Sequence, residues 1–435
     1  MLGKACTLLH PEQGVSVGTE KHHSRVFYGW YIIAASFGIL FLGGAARFSF
    51  GVMFKPMIAE FGWSRGATSL GFFLNMVIYG LALPVAGRAY DRYGPRWVVI
   101  LPTILLSAAY CLIAAMTSLW QFLLLYGILA AVGFAGPSVT ILGVLTSKWF
   151  QKWRGLAVAL AMAGWCGGQF TLVPVMTLVT LRYGWRVSHL ALGLAILVVN
   201  LVLGFFVLKN PERSGTGLVW SAEYKAVDTP AETPPVDTAP SLGLKQALRT
   251  RSFWLFLIVM FICGAGDYLV ASHLIPFATD QGISPVTAGN MLAWYALFGL
   301  AGLLLAGPAA DLIGTRIPIA ATFVIRVVLF LFILKYKTMV SLYVFALLFG
   351  FTYLASAPLV PILMGRLYGF AHLGVLNGFS NTLHFLGGGF GGYMGGLIYD
   401  RSGSYELAFI ISFFLAVVAT VCMMLIREER HGVAS

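Results

Sequence analysis

Long apolar runs dominate this 435-residue chain and decide what it can fold into. Between charged or turn-forming breaks, these runs approach the roughly 20 residues that a helix needs to cross the hydrocarbon core of a bilayer. They do not alternate polar and apolar residues, as the strands of a membrane β-barrel do. Only 10% of the residues are charged, whereas soluble domains have about 25%. The sequence therefore predicts an all-α membrane protein and excludes a soluble enzyme.

Twelve of these runs are predicted to be transmembrane helices, in two sets of six. The first set lies near 27–54, 66–86, 97–116, 120–145, 155–181 and 187–208. The second set lies near 253–279, 288–310, 317–334, 340–364, 373–398 and 406–426. The polar segment between the sets is too poor in apolar residues to fold alone. We therefore expect a cytoplasmic N-terminal tail (1–26), an N-terminal bundle (27–208), a cytoplasmic linker (209–251), a C-terminal bundle (252–426) and a cytoplasmic C-terminal tail (427–435).

Lysine and arginine are distributed unequally between the two sides of this twelve-span map. The tails and even-numbered gaps carry 19 of the 28 basic residues, the other gaps carry seven, and Arg47 and Arg326 lie within spans. Because basic residues are enriched in cytoplasmic loops, both termini are predicted to be cytoplasmic. The net charge of +12 is then expected to face anionic lipid headgroups, and no basic soluble module indicates a nucleic-acid partner. The first span is expected to remain as an uncleaved anchor.

Two short patterns recur in the two halves at an offset of 220 residues. After span two the chain carries Gly87, Asp91, Gly94 and Arg96, and after span eight it carries Gly307, Asp311, Gly314 and Arg316. At the same offset, span five has Gly167 and Gly168, and span eleven has Gly387 and Gly388. Transporters built from two related bundles show such repeats. The patterns therefore predict two pseudo-symmetric six-helix bundles.

Two of these segments resemble known sequence signatures. The loop after span two is similar to the Gly-x-x-x-Asp-Arg-x-Gly signature of the major facilitator superfamily, here Gly87-Arg88-Ala89-Tyr90-Asp91-Arg92-Tyr93-Gly94. The start of span five resembles that of the monocarboxylate porter group, here Trp149-Phe150-Gln151-Lys152-Trp153-Arg154-Gly155-Leu156-Ala157, closing with Ala163-Gly164. The end of span seven, 273–282, is similar to bacterial members of that group. The resemblance covers nearly the whole chain and implies the major facilitator fold, secondary transport and a bacterial inner membrane.

The chain departs from that group at positions that matter for mechanism. Phe27 and Tyr28 stand where the group begins span one with an acidic residue and a glycine. Gly299 and Leu303 stand where animal members carry an Asp and an Arg in span eight. The proton and anion mechanism of those members is therefore not transferred to this chain.

Five ionisable residues within the spans are candidates for function, and each needs a reason, because a charge at bilayer depth costs at least about 2.5 to 3.5 kcal/mol. Arg47, toward the outer part of span one, is predicted to bind a substrate carboxylate through its planar donors. Asp267 is the only acid within any span apart from helix ends and is the candidate proton carrier, a role that pairing with Arg47 would oppose. His273 and His384 are candidate proton relays, and Arg326 is expected to be structural, because the resemblance places span nine at the bundle periphery. The alternatives are snorkelling of Arg47 to the membrane interface and a structural, hydrogen-bonded Asp267.

Polar residues on neighbouring spans are expected to complete a substrate site. Asn377, Asn381 and His384 follow an i, i+4, i+7 spacing and so share one face of span eleven. The other candidates for contact with a small polar solute are Asn75, Tyr79, Gln169 and Tyr353. Ordinary packing or interhelical hydrogen bonding is the alternative for each of them.

Two further patterns indicate conformational change. The repeated loops are expected to be cytoplasmic latches whose charges pair in one conformation and part in the other; they contain Gly87, Asp91, Arg92, Gly94, Arg96, Asp311 and Arg316. Rows of glycines in spans five and eleven allow helix backbones to approach closely. We expect these two spans to pack against each other across the seam between the bundles.

These observations favour a secondary transporter that moves a small organic anion, most simply a monocarboxylate, with a proton or in exchange for another anion. One alternative is an exporter of amphipathic drugs or metabolites, although Gln169 stands where the glycine ladder of drug antiporters needs proline. A second alternative is a non-transporting membrane receptor or assembly factor. The sequence shows no metal cluster, nucleotide-binding loop or catalytic triad, so we expect no cofactor and an ion gradient as the energy source. The transporter is expected to be a monomer.

Overall fold

The computed structural model describes residues 27–150, 154–210, 244–369 and 373–426, and within these ranges it contains twelve long helices and no β-strand. The first half contains α1 (Tyr28–Phe61), α2 (Arg65–Tyr93), α3 (Pro95–Ile113), α4 (Leu119–Trp149), α5 (Arg154–Tyr183) and α6 (Trp185–Phe206). The second half contains α7 (Arg251–Asp280), α8 (Pro285–Ile313), α9 (Arg316–Lys335), α10 (Met339–Tyr368), α11 (Leu373–Ser402) and α12 (Glu406–Leu425). The predicted tails and most of the predicted linker lie outside the described residues.

Eleven of these helices are long and apolar enough to cross a membrane. The remaining one, α11, is rich in glycine, but its 30 residues span about 45 Å at 1.5 Å per residue. It packs along α7 of its own bundle and α2 of the other. The prediction of an all-α membrane protein with two bundles of six helices is confirmed.

Both of the expected latch loops are mostly helical. The α2 helix continues to Tyr93, so residues 87–93 form its last two turns rather than a loop. Gly94 ends this helix with a φ of 81°, which is unfavourable for a residue with a side chain. Gly314, also at 81°, ends α8 in the same way. The loop prediction was wrong for 87–93 because the helix continues through Pro84 and Gly87 and ends only where Gly94 adopts a positive φ.

The two bundles repeat the same close helix contact. The first helix of each bundle packs against the fifth, α1 against α5 and α7 against α11. A Cβ atom on Gly44 would collide with the main-chain oxygen of Trp165, and one on Gly264 would collide with that of His384. The two glycines are 220 residues apart, whereas their partners are 219 apart. The repeat is therefore structural, and the offset between α5 and α11 is one residue shorter than the sequence pattern indicated.

Two helix pairs form most of the seam between the bundles, α2 with α11 and α5 with α8, and α1 also contacts α7. The glycine rows of α11 serve two neighbours, because Gly387 and Gly391 face α7 whereas Gly392 and Gly396 face α2. The expectation that spans five and eleven pack against each other was therefore wrong. Each packs against the first helix of its own bundle and the second helix of the other.

The helix ends lie at two opposite faces. The face that we call terminal carries residues 27 and 426 and the turns at 94 and 314, and the distal face carries the turns 62–64, 281–284 and 403–405. At the distal face, α2 and α11 are joined by hydrogen bonds. Toward the terminal face, five glycines of the seam helices have open space beside them, because a Cβ atom added to any of them would meet no atom within 4 Å. These are Gly87, Gly155, Gly307, Gly374 and Gly378. The bundles are thus closed together at the distal face and apart at the terminal face.

Candidate functional site

Arg47 lies in the interior of the N-terminal bundle and is 2% exposed. Its guanidinium carbon lies 4.4 Å from the ring centres of both Tyr79 and Phe134. Its NH1 donates a 2.5 Å hydrogen bond to Oδ1 of Asn75 and lies 3.9 Å from the sulfur of Met76. The side chain therefore points toward α2 and α4, and it does not snorkel to a membrane interface.

Asn75 links Arg47 to an irregular stretch of α4. Its Nδ2 donates a 2.6 Å hydrogen bond to the main-chain oxygen of Tyr126, while its Oδ1 accepts the bond from Arg47. Tyr126 belongs to a π-helical segment, Leu123–Ala130, and such segments occur frequently at functional sites. One buried amide thus joins α1, α2 and α4.

The charge of Arg47 has no counter-charge among the described residues. The ion pairs found in that part of the chain do not include it, and its Nε is buried with no hydrogen-bond partner. Burial of an uncompensated charge is costly, and two aromatic rings offset only part of this cost. The site therefore suits a bound anion.

Asp267 occupies the position in α7 that is equivalent to Arg47 in α1, 220 residues later, but it has a partner. Its Oδ1 lies 2.7 Å from NH2 of Arg326, and both side chains are buried. Arg326 also donates to Thr352, from Nε to the hydroxyl at 3.0 Å and from NH2 to the main-chain oxygen at 3.1 Å. The resemblance placed span nine at the bundle periphery, and from this helix the side chain of Arg326 reaches inward to its counter-charge. The partner of Asp267 is thus Arg326 and not Arg47.

His384 connects this ion pair to the seam. Its Nε2 lies 3.9 Å from Oδ2 of Asp267, and its side chain is 16% exposed. Asn377 and Asn381, on the same face of α11, are half-buried. The predicted polar stripe therefore runs from the terminal end of α11 to the buried carboxylate.

The same cluster contains potential metal ligands. The donor atoms of Cys263, Asp267 and His384 lie within 4.8 Å of one another, and the thiol of Cys263 is 3.4 Å from the carboxylate. The guanidinium of Arg326 already neutralises that carboxylate and would repel a bound cation. We therefore interpret the cluster as an ion pair with polar neighbours.

Aromatic side chains separate Arg47 from the C-terminal bundle. Tyr79 meets Phe385 of α11 edge to face, with 4.8 Å between ring centres. Tyr353 is buried, and its ring centre lies 6.3 Å from that of Phe48 in α1. Both tyrosines thus lie where the bundles meet. A movement of one bundle against the other would therefore change the surroundings of Arg47.

Two other candidates make contacts that hold helices together in this conformation. Gln169 is buried at the seam, and its Nε2 donates to the main-chain oxygen of Leu292 in α8 at 3.2 Å. His273 is buried near the distal face, with Nε2 2.7 Å from the main-chain oxygen of Gly392 and Nδ1 3.0 Å from the hydroxyl of Tyr405. Their roles in substrate contact and proton relay remain predictions.

Four charged residues close the distal face, and the sequence did not identify them as a functional group. This distal lock comprises Lys55, Arg65, Asp280 and Asp400. Both terminal nitrogens of Arg65 donate to Asp280, at 2.7 and 2.9 Å, and Lys55 lies 2.6 Å from the same carboxylate. Asp400 accepts from the main-chain nitrogens of Arg65 and Gly66 at 2.9 and 2.7 Å, a favourable place for a carboxylate because these groups begin α2. The four charges have opposite signs in the two halves, but neighbouring charges such as Glu60 and Arg401 conceal this pattern in the sequence.

The predicted latch residues lie at the terminal face. Asp91 and Arg92 are exposed at the end of α2, and Arg96 is half-buried at the start of α3. Arg316 donates to the main-chain oxygen of Ile426 at 2.9 Å. The side chain of Asp311 lies outside what the structure describes. Because the bundles are apart at this face, the latch remains a prediction for the opposite conformation.

Comparison with known proteins gives consistent matches along the chain. The Major Facilitator Superfamily matches residues 36–278 and 256–434. The chain is 25% identical over 394 residues to the uncharacterized MFS-type transporter YcxA of Bacillus subtilis (strain 168), covering 87% of this chain and 90% of that protein. It is 28% identical over 394 residues to monocarboxylate transporter 11 of Homo sapiens, covering 88% of this chain and 80% of that protein.

Solved structures share the fold at low sequence identity. A bacterial homologue of the human lysosomal transporter Spinster superimposes with a TM-score of 0.69 at 17% identity, covering 92% of this chain and 97% of that one. The nucleoside transporter NupG also gives 0.69, at 11% identity, covering 92% and 99%. The family match extends over both bundles, in agreement with the signature at 87–94. The chain therefore belongs to the Major Facilitator Superfamily, and it is a membrane transporter and not an enzyme.

Proposed function

We propose that this protein is a secondary active transporter of a small organic anion, of the monocarboxylate class, that works by alternating access. The proposal rests on one observation: the guanidinium of Arg47 is buried, and no acidic side chain among the described residues forms an ion pair with it. The name of its human relative, monocarboxylate transporter 11, supports the choice of substrate class.

The balance of charge in the interior favours an anion over a cation or a neutral solute. Asp267 is neutralised by Arg326 at 2.7 Å, so the pair contributes no net charge. Arg47 is left as an uncompensated positive charge in a medium where electrostatic attraction is only weakly screened. A carboxylate suits it because a guanidinium can donate to both carboxylate oxygens.

Proton coupling is assigned in this proposal to the pair formed by Asp267 and Arg326. A proton on Asp267 would leave Arg326 without its counter-charge, so protonation and anion entry would favour each other. His384, between the carboxylate and the half-buried stripe of α11, supplies a route for protons from the terminal face. His273, near the distal lock, is the corresponding candidate at the other face. Exchange for a second anion, the other coupling mode, would use Arg47 alone.

Alternating access is supported by the two different faces of the molecule. Rocking about the seam would open the distal lock and bring together the terminal ends that carry Asp91 and Asp311. The distribution of basic residues supports both termini in the cytoplasm, which would make the terminal face cytoplasmic, and the likeness to a bacterial transporter supports a cell inner membrane. All proposed site residues belong to one chain, so a monomer is expected to be the transporting unit.

Uptake into proteoliposomes tests this function. Purified protein is first screened for thermal stabilisation by a panel of carboxylates, because a ligand of the native state raises the unfolding temperature. The labelled form of the best stabiliser is then the transport probe. We expect Arg47→Gln to lower uptake about tenfold or more, since a hydrogen bond to a charged group contributes roughly 1.5–3 kcal/mol.

Arg186→Gln is the matched control for this experiment. Arg186 is an arginine of the same bundle, but it pairs with Glu60 at the distal face, at 2.6 Å. We expect the control to unfold at a lower temperature and to retain carboxylate uptake. Equal uptake by Arg47→Gln and the parent protein would refute the anion site.

A further inference from the structure

We infer that Arg47 binds the substrate carboxylate side-on, through the edge formed by its Nε and NH2, and that Asn75 is the positioning residue that keeps NH1 away from the substrate. This inference rests on the proposed function. It adds a geometry of recognition and, from that geometry, a preference for planar carboxylates over tetrahedral anions of equal charge.

The donors of Arg47 are divided into an occupied end at NH1 and an edge where Nε has no partner among the described residues. A guanidinium offers five N–H groups in a fixed fork and can hold a carboxylate either end-on, through NH1 and NH2, or side-on, through Nε and NH2. Here NH1 is engaged by Oδ1 of Asn75 at 2.5 Å and by the sulfur of Met76 at 3.9 Å. The end-on mode is therefore blocked. Nε is buried with no partner among the described residues, so the side-on edge is the one that needs an acceptor.

The orientation of Asn75 is fixed by its two partners. A guanidinium can only donate and a main-chain carbonyl can only accept, so Oδ1 must face Arg47 and Nδ2 must face the oxygen of Tyr126 at 2.6 Å. That carbonyl lies in the π-helical segment of α4. The amide thus sets the rotation of the guanidinium relative to two helices. This positioning role replaces the predicted substrate contact of Asn75.

The aromatic rings over Arg47 restrict the shape of the anion. The ring centres of Tyr79 and Phe134 each lie 4.4 Å from the guanidinium carbon. A carboxylate bound side-on keeps its oxygens and its first carbon in the guanidinium plane. A sulfonate bound through two oxygens places its third oxygen out of that plane, toward a ring whose face carries negative charge. The site should therefore discriminate between these anions although both have one negative charge.

Propionate and ethanesulfonate form a matched pair of probes, because they have the same alkyl chain and charge and differ in the planarity of the head group. Each is titrated against purified protein, and the rise in unfolding temperature gives an apparent dissociation constant. We expect the parent protein to prefer propionate by about tenfold or more, the effect of one lost hydrogen bond to a charged group. Arg47→Lys keeps the charge and lacks the Nε–NH2 edge, so it should bind both anions weakly and with no preference.

Two substitutions of Asn75 test the positioning role. Asn75→Leu has a similar size and removes both hydrogen bonds, so NH1 becomes available and the preference for propionate should fall toward equality. Asn75→Asp places a carboxylate against NH1 and should abolish stabilisation by either anion. Circular dichroism and gel filtration establish that each variant is folded. The selectivity ratio is the decisive readout, because a purely structural residue would change stability without changing it.

The possible outcomes separate this inference from the proposed function. If propionate and ethanesulfonate stabilise the parent equally, or if Arg47→Lys or Asn75→Leu keeps the parent's selectivity, the side-on geometry is wrong and the anion site stands. If neither anion stabilises the parent, the proposed function and the inference both fail. Loss of selectivity in both variants, with binding retained in the parent, supports the inference.

Discussion

Arg47 and Asp267 occupy equivalent positions in the two halves of the protein, yet their surroundings have opposite consequences. Arg47 is held by neutral groups, the amide of Asn75 and two aromatic rings. Asp267 is neutralised by Arg326 at 2.7 Å. One half therefore contributes an uncompensated positive charge, and the other contributes a carboxylate whose charge a proton can remove. An anion and a proton are the two species that these residues suit.

The sequence identified these charged residues but not their partners. Asp267 could be singled out because it is the sole acid in the interior of a predicted span. Its pairing with Arg326 could not, because the two residues lie on different helices and contact depends on helix rotation, which changes by 100° per residue. The contact of Asn75 with Arg47 was not predictable for the same reason, although Asn75 was among the candidates for substrate contact.

We expect Asp267→Asn to remove the response of uptake to an imposed pH gradient and to destabilise the protein. The variant leaves Arg326 buried without its counter-charge, and breaking a buried pair in this way costs about 3–5 kcal/mol. Uptake into proteoliposomes with and without a pH gradient measures the first effect, and thermal unfolding in detergent measures the second. A gradient response equal to that of the parent would exclude Asp267 from coupling.

The double variant Asp267→Asn with Arg326→Met separates folding from coupling. It leaves neither charge buried, so it should recover most of the unfolding temperature lost in Asp267→Asn. The response to the pH gradient should stay absent, because no carboxylate remains at this position. Recovery of the gradient response in the double variant would mean that another group carries the proton.

Among the helices, close packing at glycines determines which elements can move together. Rows of glycine predicted close approach, but the sequence could not specify the neighbour, and α11 proved to contact α7 and α2 rather than α5. The lengths of the helices were also underestimated, because α2 and α8 continue to the residues before Gly94 and Gly314. A periodic apolar pattern marks the part of a helix within the bilayer, whereas the extension beyond it depends on where a residue finally breaks the helix.

Gly264→Ala is expected to lower the free energy of unfolding by about 1–3 kcal/mol, the usual cost of overpacking. The added methyl group would collide with the main-chain oxygen of His384, which a rotamer change cannot relieve. Thermal unfolding in detergent measures the change. Gly266→Ala, on the same helix, is the control, because its nearest neighbours would lie at 3.8 Å. Equal unfolding temperatures for the two variants would mean that α7 and α11 are less tightly packed than the structure indicates.

For the whole molecule, the distal lock ties the two bundles through charges of opposite sign. Both bases, Lys55 and Arg65, belong to the N-terminal bundle, and both acids, Asp280 and Asp400, belong to the C-terminal bundle. Such a lock can hold one face shut without resisting motion once its pairs have parted. The sequence pattern did not indicate it because charges at helix ends are common and most of them are simply solvated.

We expect the double variant Asp280→Asn with Asp400→Asn to open the distal face. Partly exposed ion pairs contribute up to about 1 kcal/mol each, so loss of the lock should raise the open population about five- to tenfold. Spin labels at the exposed positions Ala59 and Gln281 measure the distance between the bundles by electron paramagnetic resonance. Longer distances should gain population in the variant.

Glu406→Gln is the control for this measurement, because Glu406 pairs with Lys337 at the same face but within one bundle. Its distance distribution should match that of the parent. A lock variant whose distribution also matches the parent would show that contacts other than these charges keep the distal face closed.

The central claim is that Arg47 is the cation that holds the transported anion, and equilibrium binding tests it most directly. A labelled carboxylate, chosen as the best stabiliser of the parent, is titrated against purified parent and Arg47→Gln proteins in detergent, where neither gradients nor orientation matter. The account predicts saturable binding to the parent and a loss of about tenfold or more in affinity for the variant, provided that it is folded. Equal affinity of the two proteins would contradict the account.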